Sequence, residues 1–169
     1  NISISNNIVT NPGTIGIWIL TNDSGGTASN VFNFTVNGNT VEEAGGTGAI
    51  YLDIDGDLFN GTISNNAVDS GGNGIFLSVD QHGENISIVG NAVYNITNSC
   101  FYISITDNVL NLNLNGNNAR STSASSEGYR FVGFGGTVRA ISMVGNISNC
   151  DDYNMIWTSI GTGGTQSNM

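Results

Sequence analysis

The chain has 169 residues and a formal charge of −10 at pH 7, carried by 13 acidic residues against Arg120, Arg130 and Arg139, with no Lys. Three scattered cations exclude a nucleic-acid binder, which needs Lys or Arg to neutralise phosphate, and disfavour an anionic membrane surface. No apolar run approaches the ~20 residues of a membrane helix, and a content of 27 Asn and 24 Gly favours turns over helices.

The first element is ISISNNIV from Ile2, followed by the apolar strand IWILTND from Ile17. The same pair returns along the chain. FTVNGNTV from Phe34 precedes IYLDIDGD at Ile50, GTISNNAV from Gly61 precedes IFLSVDQH at Ile75, and ISIVGNAV from Ile86 precedes FYISITD at Phe101. LNLNGNNA from Leu112 then precedes YRFVGFGG at Tyr129, and ISMVGNIS from Ile141 precedes IWTSIG at Ile156. Each first phrase aligns on one Asn: Asn7, Asn39, Asn66, Asn91, Asn117 and Asn146, separated by 32, 27, 25, 26 and 29 residues.

Apolar residues hold fixed places around that Asn. Five before it stand Ile2, Phe34, Gly61, Ile86, Leu112 and Ile141; three before it stand Ile4, Val36, Ile63, Ile88, Leu114 and Met143. Two after it stand Val9, Val41, Val68, Val93, Ala119 and Ser148. Period-two alternation that itself repeats at nearly constant length predicts short strands stacked rung on rung, because one such unit cannot bury its apolar face alone. The expected fold is all-β: a right-handed parallel β-helix, or solenoid, of about six rungs. The six Asn are expected to form a structural ladder, each amide bonded to the next and each residue taking the left-handed turn conformation. Residues 1–160 are expected to form a single β-helix domain, and 161–169, GTGGTQSNM, a flexible C-terminal tail or linker. The chain begins inside a rung without an initiator Met or a signal peptide, as expected of a mature or excised piece.

These repeats, Gly72–Val93 (GNGIFLSVDQHGENISIVGNAV) above all, resemble right-handed parallel β-helices of the pectate-lyase-like superfamily. The GAIY at Gly48 resembles bacterial polymorphic surface proteins and autotransporter passenger domains. The resemblance covers essentially the whole chain and implies an extracellular or cell-surface location. It leaves function open, since this fold carries lyases, hydrolases, adhesins and stalks.

Candidate binding residues lie on the outward side of the second strand. Trp18, Tyr51, Phe76, Tyr102, Arg130 and Trp157 are expected to form one column, five aromatics and an Arg. An exposed apolar ridge marks a contact surface, for another protein chain, a second copy, or the rings of surface carbohydrate; cover by a loop or domain of the same protein is the alternative. Beside it, Asp53, Asp55, Asp57 and Asp80 have the oxygen density of a calcium site but lack the later Glu of an EF-hand. Asp55 is expected to stack on Asp80, and Asp57 on His82, the only His. Asp55, Asp80 and His82 are thus the candidate catalytic set of a polysaccharide lyase or glycoside hydrolase; a solvated acidic turn is the plainer reading, with no cofactor.

Lyases of the superfamily need a base among calcium carboxylates. The paired acids Asp151 and Asp152 lack the companion phrases of its hydrolases. The expected function is therefore a non-catalytic structural or adhesive module, with a self-assembling filament subunit and a polysaccharide-processing enzyme as alternatives. Cys100 and Cys150, in the fourth and sixth repeats, are expected ~9–10 Å apart and unpaired.

Overall fold

The computed structural model describes residues 1–21 and 28–158, so the expected tail 161–169 and the end of the last strand phrase lie outside the described residues. The described chain is built from β-strands, with no helix among them. Each rung contributes three. The first holds β1 (Ile2–Ser5), β2 (Ile8–Thr10) and β3 (Ile17–Leu20); the second holds β4 (Val31–Asn37), β5 (Thr40–Ala44) and β6 (Ile50–Ile54). The third holds β7 (Leu58–Ser64), β8 (Ala67–Gly71) and β9 (Ile75–Val79); the fourth holds β10 (Gly83–Val89), β11 (Ala92–Ile96) and β12 (Ser99–Ile105). The fifth holds β13 (Val109–Asn115), β14 (Asn118–Ser121) and β15 (Glu127–Gly133); the sixth holds β16 (Val138–Val144), β17 (Ile147–Cys150) and β18 (Tyr153–Thr158).

Equivalent strands of successive rungs pair in parallel, giving three six-stranded sheets that begin at β1, β2 and β3. The protein is a parallel β-solenoid. Six strands in a column are about five complete turns, slightly fewer than the six rungs counted on the Asn.

The three apolar columns read from the sequence are the inner wall. Ile4, Val36, Ile63, Ile88, Leu114 and Met143 stand in line through the first sheet, and Val9, Val41, Val68, Val93, Ala119 and Ser148 through the second. The third sheet adds Ile50, Ile75, Phe101 and Tyr129, and Leu52, Leu77, Ile103 and Phe131, all buried.

Strict alternation does not describe the strands, however. In β4 the inward residues Val31 and Phe34 are three apart, with Phe32 and Asn33 both outward. Asn33 makes this possible with φ of +56°, and Asn60, Asn85, Asn111 and Ala140 repeat the left-handed turn at +57°, +55°, +58° and +55°. A left-handed residue inserts one extra position and turns the chain by a corner. It brings Val31, Leu58, Gly83 and Val109 into a further inward column. Asn11, Glu43, Ser70 and Asn95 do the same within the second sheet.

The anchor Asn themselves correct one expectation. The left-handed residue at this corner is the one before each anchor: Asn6, Gly38, Asn65, Gly90, Gly116 and Gly145, with φ between +54° and +66°. None of the six anchors has positive φ; each turns its amide into the corner instead. Asn39, Asn66, Asn91 and Asn117 are each 1% exposed. The Nδ2 of Asn7, Asn39, Asn66, Asn91 and Asn117 donates to the Oδ1 of the next anchor at 2.9–3.0 Å. The same Oδ1 also accepts the preceding anchor's backbone N–H at 3.0 Å. A second Nδ2 bond reaches a backbone carbonyl, as from Asn91 to Ile63 at 2.9 Å. Every polar group in this dry corner is answered by its neighbours.

Candidate functional site

On the outer face of the third sheet, parallel pairing puts Trp18, Tyr51, Phe76, Tyr102 and Arg130 side by side. The alternation that points Ile50, Leu52, Ile75 and Leu77 inward forces their neighbours out. Trp18 and Tyr51 stack with centroids 6.2 Å apart, Tyr51 meets Phe76 edge-on at 4.6 Å, and Phe76 stacks on Tyr102 at 4.2 Å. The Arg130 guanidinium lies 5.7 Å from the Tyr102 ring centroid, the geometry of a cation–π contact. Its Nη1 also donates to Glu127 Oε1 at 3.1 Å. Trp18 is 54% exposed, and the next three rings are half-buried against one another.

Trp157 does not belong to this column. Arg130 stands opposite Ile156, and Trp157 pairs with Phe131 on the inward side. The last strand is displaced by one residue from the expected register. Its Trp ring stacks on Phe131 at 4.2 Å and meets the edge of Phe134 at 5.6 Å. A large ring gains more from two buried aromatic surfaces than Ile156 would in the same place. The phrase YNMIWT permits either phase, since both of its alternating sets contain an apolar residue.

The acidic group lies at the corner after the ring column. Asp53 is outward between Leu20 and Ser78. Asp80 follows directly on the Ile54–Val79 pair, which puts it beside Asp55, and its N–H donates to the Ile54 carbonyl at 2.9 Å. Asp57 Oδ1 accepts the His82 N–H at 3.1 Å. The His82 ring turns away to Glu84, Nε2 to Oε2 3.4 Å, and tilts against Phe59 at 5.5 Å. Among the described residues no group of three or more His, Cys, Asp or Glu side chains converges as a metal ion would require, so Asp53, Asp55, Asp57 and Asp80 do not form a common cage.

Burial first, then the charges of Asp55 and Asp80, raise the Asp53 carboxyl above its ordinary value, while a hydrogen bond from Tyr51 opposes them. Burial and the same carboxylate push the Tyr51 phenol up to about 12. An acid whose pKa rises on folding contributes stability that is complete below its unfolded value and lost as pH climbs through the folded one. Asp53→Asn is therefore expected to raise the thermal midpoint at pH 7 by a few degrees at most, with the gain vanishing near pH ~4. Melting curves at both pH values check this.

Two features escaped the sequence reading. Phe32 and Phe59 stack at 5.1 Å on the outer face of the first sheet, across the acidic corner from the main column. A second, exposed Asn ladder runs through Asn33, Asn60, Asn85 and Asn111, each amide donating to the one below at 2.8–3.2 Å. Its signal was present: these Asn stand six places before successive anchors.

The cysteines also correct an expectation. Cys100 in β12 and Cys150 in β17 belong to rungs four and six, yet their sulfur atoms are 3.8 Å apart, both unbonded. Their side chains reach towards each other across rung five, where Ala119 and Ser121 are small.

No family model, curated protein or solved structure matches the chain.

Proposed function

We propose that the chain is a non-catalytic structural or adhesive module of a secreted or cell-surface protein, a solenoid of the pectate-lyase-like, polymorphic-surface kind, that holds another protein chain along its outward rings. The observation that carries this reading is the stack Trp18–Tyr51–Phe76–Tyr102 on an outer face whose side chains the core does not need. Four rungs at ~4.8 Å make a ridge about 15 Å long, and apolar ridges with polar surroundings mark contact surfaces. The acidic, Lys-free composition suits contact without membrane insertion or nucleic acid.

The test is Tyr51→Ser with Phe76→Ser, read by sedimentation equilibrium and by adhesion to surfaces coated with the same protein. Central aromatic anchors often contribute ~2 kcal/mol or more each, so self-association should weaken by well over tenfold while the fold is retained. A double variant that unfolds, from a wild type that stays monomeric and does not adhere, would show that the rings are core. Binding of neutral or acidic glycans, lost in the same variant, would move the reading to surface carbohydrate. Polysaccharide cleavage abolished by Asp55→Asn or Asp80→Asn would promote the lyase or hydrolase alternative.

A second reading, end-to-end stacking into a filament, is favoured by where large apolar side chains stay exposed among the described residues. Ile2 in the first rung and Met155 in the last stand in inward columns, opposite Phe34 and Tyr129, yet are 37% and 48% exposed. Electron micrographs separate the two: short rods of one length, or continuous fibres.

A further inference from the structure

Cys100 is fully buried, and Cys150 is half-buried and packed against the core. Between them lies one rung of small side chains: Ala119 takes the place that Val occupies in the four rungs below it, and Ser121, opposite Cys150, is buried with its hydroxyl turned to the Ile96 carbonyl. Two sulfurs at 3.8 Å are in van der Waals contact with nothing between them. From this geometry we propose that Cys100 and Cys150 are a disulfide-forming pair: closing the sulfurs from 3.8 Å to a bond of about 2.05 Å draws the sixth rung towards the fourth and clamps it there.

Such a clamp acts where a solenoid is weakest. Rung stability depends on nearest neighbours, so a terminal rung with one neighbour opens first. Among the described residues the sixth rung, β16 to β18, pairs only with the fifth, and Ile147, Tyr153 and Met155 are exposed. The cross-link joins positions 50 residues apart, a loop long enough for large loss of unfolded-state freedom.

The oxidant is a small-molecule disulfide. Cys150, the more accessible thiol, loses its proton and attacks one sulfur of the reagent, forming a mixed disulfide and releasing one thiolate, which takes up that proton. Cys100 then attacks the Cys150 sulfur, the second reagent thiol leaves with the Cys100 proton, and the protein disulfide remains. Two electrons pass from the cysteines to the reagent. Burial and the adjacent Cys150 push the Cys100 thiol well above its ordinary range, which keeps it out of the first step; in the second, its sulfur already lies 3.8 Å from that of Cys150.

The experiment incubates the purified chain with oxidised glutathione and follows intact mass, thiol count in denaturant and thermal midpoint. The expected product is a monomer lighter by two hydrogens, with no titratable thiol, whose midpoint is higher by on the order of 10 °C and returns on reduction. Cys100→Ala is expected to accumulate a glutathione adduct on Cys150, because the resolving thiol is gone; Cys150→Ser is expected to remain unmodified. Two thiols persisting in the oxidised wild type, a stable glutathione adduct on it, or a disulfide-linked dimer would each overturn the proposal.

Discussion

Asn91→Ala is expected to remove most of the stability of the solenoid and lower its thermal midpoint by well over 10 °C. The Asn91 side chain donates to the Ile63 carbonyl at 2.9 Å and to Asn117 Oδ1 at 3.0 Å. It accepts from the Asn66 backbone N–H at 3.0 Å and from Asn66 Nδ2 at 2.9 Å. Alanine strips those partners from groups sealed away from water. A buried polar group that loses its partner costs ~1–3 kcal/mol, so the Ile63 carbonyl, the Asn66 N–H and the Asn66 amide together cost about 3–9 kcal/mol, against a total stability of ~5–15 kcal/mol for an ordinary domain. The outer ladder is the control. Asn60→Gly keeps the left-handed backbone and removes an amide that water can replace, so its cost should stay under ~1 kcal/mol.

Asn91→Asp sharpens the point. A carboxylate can accept both Asn66 bonds but cannot donate to Ile63 or Asn117, and it places a charge where none is solvated. Its pKa must rise on folding, so its penalty is greatest at neutral pH and shrinks as acid returns the proton. Urea unfolding of all three variants at pH 7 and near pH 4 decides the matter; an Asn91→Ala variant within 1 kcal/mol of wild type would mean that the inner ladder is ornament.

The Asn register made most of the fold legible because identical corners demand identical chemistry. Asn39, Asn66, Asn91 and Asn117 fill the same buried corner, and the apolar residues around each anchor keep fixed distances from it, as Ile63, Ile88 and Leu114 do. What escaped the sequence was wherever strict alternation fails. Asn33 and Glu43 look like polar loop residues, yet each is a single left-handed position inside a strand, bending it so that inward residues fall three apart. Trp157 was misplaced because a one-residue slip in the last strand exchanges one apolar set for another. The separation of the two sulfurs was misjudged because rung spacing measures backbones, whereas the free thiols from rungs four and six lean together over small neighbours. The ring column from Trp18 to Tyr102 needed only the alternation of β3, β6, β9 and β12, which holds.

Gly61→Ile should be severely damaging to the first sheet, and a second substitution should repair it. Gly61 occupies a column otherwise filled by Ile2, Phe34, Ile86, Leu112 and Ile141. The reason is the ring beneath it: a Cβ built on Gly61 would lie 2.7 Å from Phe34 Cζ and closer still to Cε1. Phe34 is 1% exposed and has therefore spread into the next rung. Adding a branched side chain to a full core costs ~1–3 kcal/mol where neighbours can shift, and more where a pinned ring must leave its rotamer. Phe34→Ala should cost ~3–5 kcal/mol through the cavity it opens. Phe34→Ile combined with Gly61→Ile replaces one large and one absent side chain by two of equal size. It also relieves the strand of a Gly worth roughly 0.5–1 kcal/mol in lost order. The double variant is expected to return to within ~1 kcal/mol of wild type, with a coupling energy of ~2 kcal/mol or more between the sites. Strict additivity of the single changes in urea unfolding would mean that the Phe34 ring does not fill the space that a side chain at Gly61 would take.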